Sequence, residues 1–589
     1  MSTDDGTGVR PAGSSATLAA VLAVTAVSLL ARLVALGGRI FHWDEGRVGY
    51  WILRYHETGV YSYRPIIHGP FLAIVNDKIF SVVPPTDFSA RLAVAVVGGL
   101  LPLVAWLLRD RLRDREVVAV ALVLAANPLL VYYSRFMRSD VLVGAFSLFA
   151  LGFAVRAFDA DDPRYLYPAA ATFALGFASK ENALIYLACF VGGAALLVDH
   201  RLLRATSEGV GLRNAVLGGW PLGAVRRVDR WGGWARTVGH LVGSLAVFFA
   251  VVVFFYAPRP DFWQAFADPT RLPAVVEAGT AGAWKEFYST WGGGHHQNHS
   301  YLPYLHDFLQ SFVYGAPAVI VFALVGFVAD GYASERSREV VAFAFYVGVV
   351  SVVGYPIATD IQAPWAVVHA VVPLSIPAGV GLAYIFGSGR KAFARDDVVG
   401  AGLAAVLLLS AVTGVVGANA SYMNSTDEQD KMVLQWAQPG NDLKGTLEKV
   451  HAVSEENQQG TDVLFYGTYN PYSHDTLFYV ANESSARQPP VGGPSWHSRL
   501  PLPWYLERYG AEVNSTAPAT PPETIRERNP PVVIAYAWNR SDLEPVLDGY
   551  AVYEHRFKLW NENVTVFIDR EALRRAGYEA DARAKAESA

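Results

Sequence analysis

Cysteine occurs once in 589 residues, at Cys189 within an apolar run, so no disulfide framework holds any part of the chain together and burial is the role expected of that thiol. Charge is scarce as well. Asp, Glu, Lys and Arg make up 17% of the chain against 52% hydrophobic residues, and the mean hydropathy of +0.23 lies outside the usual range of soluble globular proteins. No P-loop and no glycine-rich dinucleotide fingerprint is present, which argues against a nucleotide-driven pump and points to no nucleic acid partner. What is abundant is long apolar sequence, and the composition is that of an integral membrane protein.

Crossing a hydrocarbon core of ~30 Å takes about 20 helical residues. Runs near 17–38, 90–108, 117–133, 141–158, 167–179, 183–198, 240–257, 312–329, 340–355, 364–386 and 398–418 meet or approach that length, which predicts a polytopic α-helical protein of about eleven transmembrane helices. The first run is followed by GRIFHWDE, without a small-x-small cleavage pattern, and reads as a retained helix. Arg and Lys concentrate in 199–236, 109–116, 335–338 and 390–395, which the positive-inside rule places in the cytoplasm. Loops 39–89 and 258–311 and everything after 418 then face outward. The Asn-X-Ser/Thr sites at Asn298, Asn419, Asn424, Asn482, Asn514, Asn539 and Asn563 all fall in those outer segments.

Four regions are expected: a disordered tail over 1–16, a transmembrane domain over 17–418, an external domain over 419–570 and a polar tail over 571–589. In the external part, TDVLFYG and PPVVIAY read as short buried strands. DEQDKMVLQWAQ and NDLKGTLEKVHAVSEE are compatible with helix, and YAVYEHRFKLW with NVTVFID closes a hairpin. A small α/β domain follows. The protein is expected in the cell (plasma) membrane as a multi-pass protein with this domain extracytoplasmic.

Four polar constellations could carry chemistry. Asp44 and Glu45 follow directly on the first apolar run, with His42 and Arg47 beside them; they could perform acid/base work on a membrane-borne substrate, or be hydrated loop acids paired with Arg47 or Arg54. Arg64 and His68 stand later in the same loop. In SRFMRSD, Arg135 and Arg138 offer forked donors suited to phosphate oxygens or could snorkel to lipid headgroups, and Asp140 could cap the next helix. In SKEN, Lys180 could neutralise a phosphate or pair with Glu181. Finally, His295, His296 and His299 in GGGHHQNH could bind a metal if the loop folds suitably, or be exposed loop histidines.

The order of these motifs, DE after the first helix, HGP later in that loop, SRFMRSD and then FALGFASKENAL, resembles the protein O-mannosyltransferase and aminoarabinose-transferase group of integral membrane GT-C glycosyltransferases over roughly residues 20–200. QAPWAVVHAVVPLSIPAG at 362–379 and LPLPWYLERYG at 500–510 are similar to the archaeal branch of flippase activity-associated proteins of the N-glycosylation pathway. The resemblance implies a general base at Asp44 with Glu45 beside it, phosphate contact by Arg135, and HGP at His68 where the mannosyltransferases have HPP. It further implies a polyprenyl (dolichyl)-phosphate sugar as donor, a glycan or protein as acceptor, single displacement with inversion, and departing phosphate stabilised by Arg135, Arg138 and Lys180. No nucleotide is needed, because the lipid phosphate leaves; a divalent metal at the histidine loop is the one open cofactor. A different reading uses the same residues: a non-catalytic transport or accessory protein that binds lipid-linked sugars.

The orientation makes a direct prediction. Cysteines introduced by Val60→Cys and Thr520→Cys should react with an impermeant thiol reagent on intact cells, while Ala215→Cys should not. Labelling at 215 with protection at 60 inverts the topology.

Overall fold

The computed structural model describes residues 14–581 except 66–67, 182, 208, 210–226, 293–298, 333–337, 360–362, 428–431, 459, 487–492, 558–561 and 580. The chain forms two compact units, each assembled from separated stretches: Met1–Leu36, Tyr61–Ile74 and Arg91–Met423 in the first, and Gly37–Val60, Val75–Ala90 and Asn424–Ala589 in the second.

Among the described residues, eight helices are long and apolar enough to cross a membrane: Ser15–Leu33, Asp87–Leu107, Asp140–Asp159, Ala183–Ser207, Trp234–Tyr256, Glu339–Ala358, Pro364–Phe393 and Val398–Tyr422. Tyr301–Gly315 and Pro317–Tyr332, bent by 91° at their junction, add a ninth if they form one span. The expectation of eleven differs at two runs. Residues 117–133 break into Asp114–Ala126 and Pro128–Tyr133, because Pro128 has no N–H to continue the ladder and Asn127 Oδ1 instead caps the second piece at Leu130 N, 3.1 Å away. Residues 167–179 lie in the helix Leu166–Ser179, whose 14 residues fall short of a full crossing.

The stretch Pro364–Phe393 is the core of the first unit, with 89% of its most apolar window buried. Its helix Val368–Phe393 packs against Asp114–Ala126, Asp140–Asp159, Pro317–Tyr332, Glu339–Ala358 and Val398–Tyr422. Small residues allow this, as is usual where helices associate in lipid without a hydrophobic drive between them. A Cβ on Gly381 would lie 2.0 Å from Phe322 O, one on Gly326 1.9 Å from Pro377 O, and one on Gly379 2.5 Å from Val120 N. By contrast only 6% of the corresponding window of Val398–Tyr422 is buried, and its outward Leu403, Val406, Leu409 and Val416 present an apolar face of the kind lipid tails require.

Buried arginines close several helix ends. Arg32 donates to Leu124 O and Ala125 O at the end of Asp114–Ala126, and Arg259 donates to Phe254 O and Ala257 O at the end of Trp234–Tyr256. The last four carbonyls of any helix lack partners within it, so these guanidinium groups supply what water would supply elsewhere.

The second unit contains a mixed five-stranded sheet. Val463–Phe465 pairs in parallel with Val513–Ser515 and with Val532–Tyr536; Asn563–Asp569 pairs antiparallel with Val532–Tyr536 and with Tyr550–Arg556, the expected hairpin. Val532–Tyr536 is buried on both faces, which matches its uninterrupted VVIAY sequence. The stretch Met432–Gln438, expected to be helical, is not. Val433, Leu434, Gln435 and Gln438 are all buried there, and Gln438 Nε2 donates to Ile40 O at 3.1 Å, so tertiary burial overrides the local helix preference. Helix Trp43–Thr58 lies so close to the 500s that a Cβ on Gly46 would sit 2.6 Å from Pro501 Cα. Asp87, nearly buried, accepts from Trp504 Nε1 (3.1 Å), Tyr505 Oη (3.0 Å), Lys444 Nζ (3.0 Å) and Arg508 (3.5 Å). Past 571, helix Arg570–Arg575 buries Ala572 and Leu573, and residues 582–589 lie outside the described residues.

The helix crossing at Gly381 is testable. Gly381→Ala should destabilise the detergent-solubilised protein by about 1–3 kcal/mol, the usual cost of overpacking, because the opposing atom is backbone and cannot rotate away. The same change at Gly414, inside the helix Val398–Tyr422 with open space around it, should not lower the melting temperature.

Candidate functional site

In the second unit, Asp44 and Glu45 open the helix Trp43–Thr58 and have separate local duties. His42 Nδ1 accepts from Asp44 N at 3.0 Å while Glu45 Oε2 accepts from His42 N at 3.0 Å, a reciprocal capping box. Nδ1 being an acceptor, the ring proton sits on Nε2, which donates to Trp436 O at 2.7 Å. Glu45 is fully buried beneath this arrangement. Asp44 retains 18% side-chain exposure, with Arg47 at 3.5 Å, and Arg47 in turn lies 5.0 Å above the Trp43 ring. Trp43 Nε1 donates to His497 O at 3.1 Å; burial, and then the Arg47 charge, lower the His497 imidazole to about 4, so it is neutral at physiological pH.

The first unit brings two of the sequence motifs together around one carboxylate. Asp140 Oδ1 accepts from Lys180 Nζ at 3.0 Å and lies 3.4 Å from His369 Nε2, and Arg138 Nε is 3.6 Å from Oδ2. All four side chains are buried. Arg138 also lies 4.1 Å above the Trp365 ring, and His369 stacks on Tyr355 with centroids 4.3 Å apart and Tyr186 edge-on at 5.3 Å. Two cations thus meet one carboxylate in an apolar unit. His369 was not among the residues singled out from sequence, although the signal was present: an ionisable side chain within an apolar span, here near its start, marks function by default.

Arg135 has a different local role from Arg138. Its NH1 donates to Ala31 O (3.2 Å), Arg32 O (2.8 Å) and Val34 O (2.8 Å), and its NH2 to Ala35 O (2.9 Å), closing the end of the helix Ser15–Leu33. Its neighbour Ser134 approaches Gly98, where a Cβ would lie 2.6 Å from Ser134 Cβ.

The HGP and SKEN motifs also meet. His68 Nδ1 is 3.8 Å from Glu181 Oε2, and Tyr63 Oη donates to Glu181 Oε1 at 2.7 Å. Burial, then the Glu181 charge, hold the Tyr63 phenol well above its ordinary range, so it stays a donor. Gly69 is required by the contact: a Cβ there would stand 2.3 Å from Ala178 O, which accounts for glycine in place of the first proline of HPP. His299 Nε2 lies 2.7 Å from Thr359 O, while His295 and His296 lie outside the described residues, as does Asn182. Among the described residues no three of His, Cys, Asp and Glu gather as a metal site.

Comparison with known proteins bears on this arrangement. Residues 67–213, which carry His68, Arg135, Arg138, Asp140 and Lys180, match the family described as dolichyl-phosphate-mannose-protein mannosyltransferase, and residues 443–569 match the Agl23 flippase-associated protein C-terminal domain. No curated protein matches the chain. Two solved structures of ArnT from Cupriavidus metallidurans align along nearly the whole length. The apo form has a TM-score of 0.51 at 15% identity over 94% of this chain and 98% of that one; the form bound to undecaprenyl phosphate has 0.53 at 14% over 93% and 97%. The chain has a GT-C-type membrane fold. Likeness at this identity extends to the fold, with the Agl23-type domain as its C-terminal part.

The geometry separates the two arginines of SRFMRSD. Arg135→Lys should destabilise the protein by about 1–3 kcal/mol, because one ammonium cannot reproduce bonds to four carbonyls, and should leave affinity for a polyprenyl phosphate within twofold at about RT ln 2. Thermal melts paired with lipid-phosphate titrations check it; unchanged stability with lost affinity would reverse the assignment.

Proposed function

We propose that this chain is a membrane glycosyltransferase that moves a sugar from a polyprenyl (dolichyl)-phosphate donor to a glycan or protein acceptor on the outer face, with inversion. The observation that carries this reading is the buried group Arg138, Asp140, Lys180 and His369, with two cations on one carboxylate. The GT-C-type fold and the mannosyltransferase match over 67–213 support it.

Each residue has a role in the reading. Asp44, the more exposed acid of its pair, takes the proton from the acceptor hydroxyl as the oxygen attacks the anomeric carbon; Glu45 holds the helix start on which Asp44 stands. The carbon–oxygen bond to phosphate breaks as the new glycosidic bond forms, and the pair of electrons leaves with the phosphate. Arg138 and Lys180 stabilise that phosphate, Asp140 keeps both cations oriented, and Arg135 positions the segment that bears Arg138. His68 orients Glu181 beside Lys180.

A second reading is favoured by one observation, the Agl23 flippase-associated match over 443–569: the chain binds lipid-linked sugars for protein N-glycosylation without chemistry. Asp44→Asn separates the two. A general base must change protonation state, so the amide should reduce transfer by about 10²-fold or more with donor affinity kept. Retained transfer with normal binding removes Asp44 as the base, and absence of transfer by the unmodified protein with any polyprenyl-phosphate sugar supports the accessory role.

A further inference from the structure

The second unit contains a cavity of about 1010 Å³ that takes in neither Asp44 nor Glu45. Its volume lies at the top of the range of about 300–1,000 Å³ for small-molecule sites. The wall mixes charged and apolar groups, and its cations are already matched. Arg54 donates to Glu57 and, at 2.7 Å, to Glu507; Lys444 and Arg508 both bond Asp87. Glu448 and Glu512 add two more carboxylates to the lining.

This chemistry excludes most classes of occupant. A phosphate or other polyanion would meet no unmatched cation and an excess of carboxylates. An apolar ligand would bury ion pairs against hydrocarbon without replacing their water, at a cost of several kcal/mol. A polyhydroxylated ligand suits the wall, because an ion-paired carboxylate keeps further lone pairs and a guanidinium keeps further N–H groups, so a hydroxyl can donate to one and accept from the other. The cavity also has a flat side. The rings of His451 and Tyr509 stack with centroids 4.2 Å apart and an angle of 23°, a face of the type that receives the C–H side of a pyranose ring. Burial raises the Tyr509 phenol to about 12, keeping it a hydrogen-bond donor at physiological pH.

We infer that this cavity binds a neutral oligosaccharide of two or three units, with Arg54, Glu507, Glu448 and Lys444 taking its hydroxyls and the Tyr509–His451 stack its ring face. The site requires no transfer chemistry. It stands equally if the chain only carries glycans, so its failure and failure of the Asp44 assignment are read separately.

The test uses the full chain in lipid nanodiscs, with maltotriose, mannobiose and chitobiose as probes and saturation-transfer NMR as the readout. At least one probe should bind saturably, and inorganic phosphate should not displace it. Tyr509→Ala and, separately, Glu448→Gln should each weaken binding by about tenfold, as expected for loss of a stacked face or a charge-assisted hydrogen bond. Glu448 is exposed and, among the described residues, forms no ion pair, so its variant keeps the fold even if Tyr509→Ala does not. Absence of binding by all three probes at millimolar concentration, unchanged affinity in both variants, or displacement of the sugar by trilysine would overturn the assignment; the last would identify a site for basic peptides.

Discussion

A helix that ends in apolar surroundings leaves carbonyls with nothing to accept from, and the first unit answers that constraint with arginine. Arg135 closes Ser15–Leu33, Arg32 closes Asp114–Ala126 and Arg259 closes Trp234–Tyr256, while Arg91 NH1 reaches Leu36 O at 3.0 Å. Each brings a charge into a poorly hydrated interior, a position tolerated because the planar fork meets several carbonyl dipoles at once. A chain with only 17% charged residues thus devotes some of its few cations to helix ends. The arrangement also ties elements in pairs: Arg32 lies on one helix and closes the end of another, and its own carbonyl accepts from Arg135.

The Asp140 group is a different case, for there two cations meet one acid. Lys180 and Arg138 share that carboxylate, the ring of Trp365 lies against Arg138, and those of Tyr355 and Tyr186 lie against His369. An electrostatic interaction in such surroundings is strengthened by the low dielectric. Three separate stretches of sequence build it: SRFMRSD, SKEN and the central helix that begins with His369 near its first turn.

Much of this was legible in the sequence because lipid imposes a strict code. Long apolar runs became helices, and the Val/Ile-rich VVIAY and the pair YAVYEHR and NVTVFID became strands in the expected hairpin. Short runs were less legible: one proline decided that 117–133 would be two pieces, and Leu166–Ser179 was helical but brief. Met432–Gln438 has helical composition, yet its side chains are drawn into tertiary contacts that no local pattern encodes. At the candidate site, Asp140, Arg138 and Lys180 were visible as polar interruptions. His369 was hidden inside the longest apolar stretch, and Arg135 carried the same signature as Arg138 although its hydrogen bonds go to a helix end. Residue type announces a charge; only the fold decides whether it faces a backbone or a carboxylate.

The hub at Asp87 has a consequence for how this protein can be recombined. The acid stands at residue 87, while three of its donors, Trp504, Tyr505 and Arg508, come from one short helix more than 400 positions later, and Lys444 from another. Gly46 against Pro501 repeats the pattern. The C-terminal region is therefore not a cassette. Moved alone onto a foreign membrane scaffold, it would leave its Lys444 and Arg508 charges unanswered, and any chimera that works must transplant the early loop with it. Lineages that exchange this part must keep two distant stretches of gene in step.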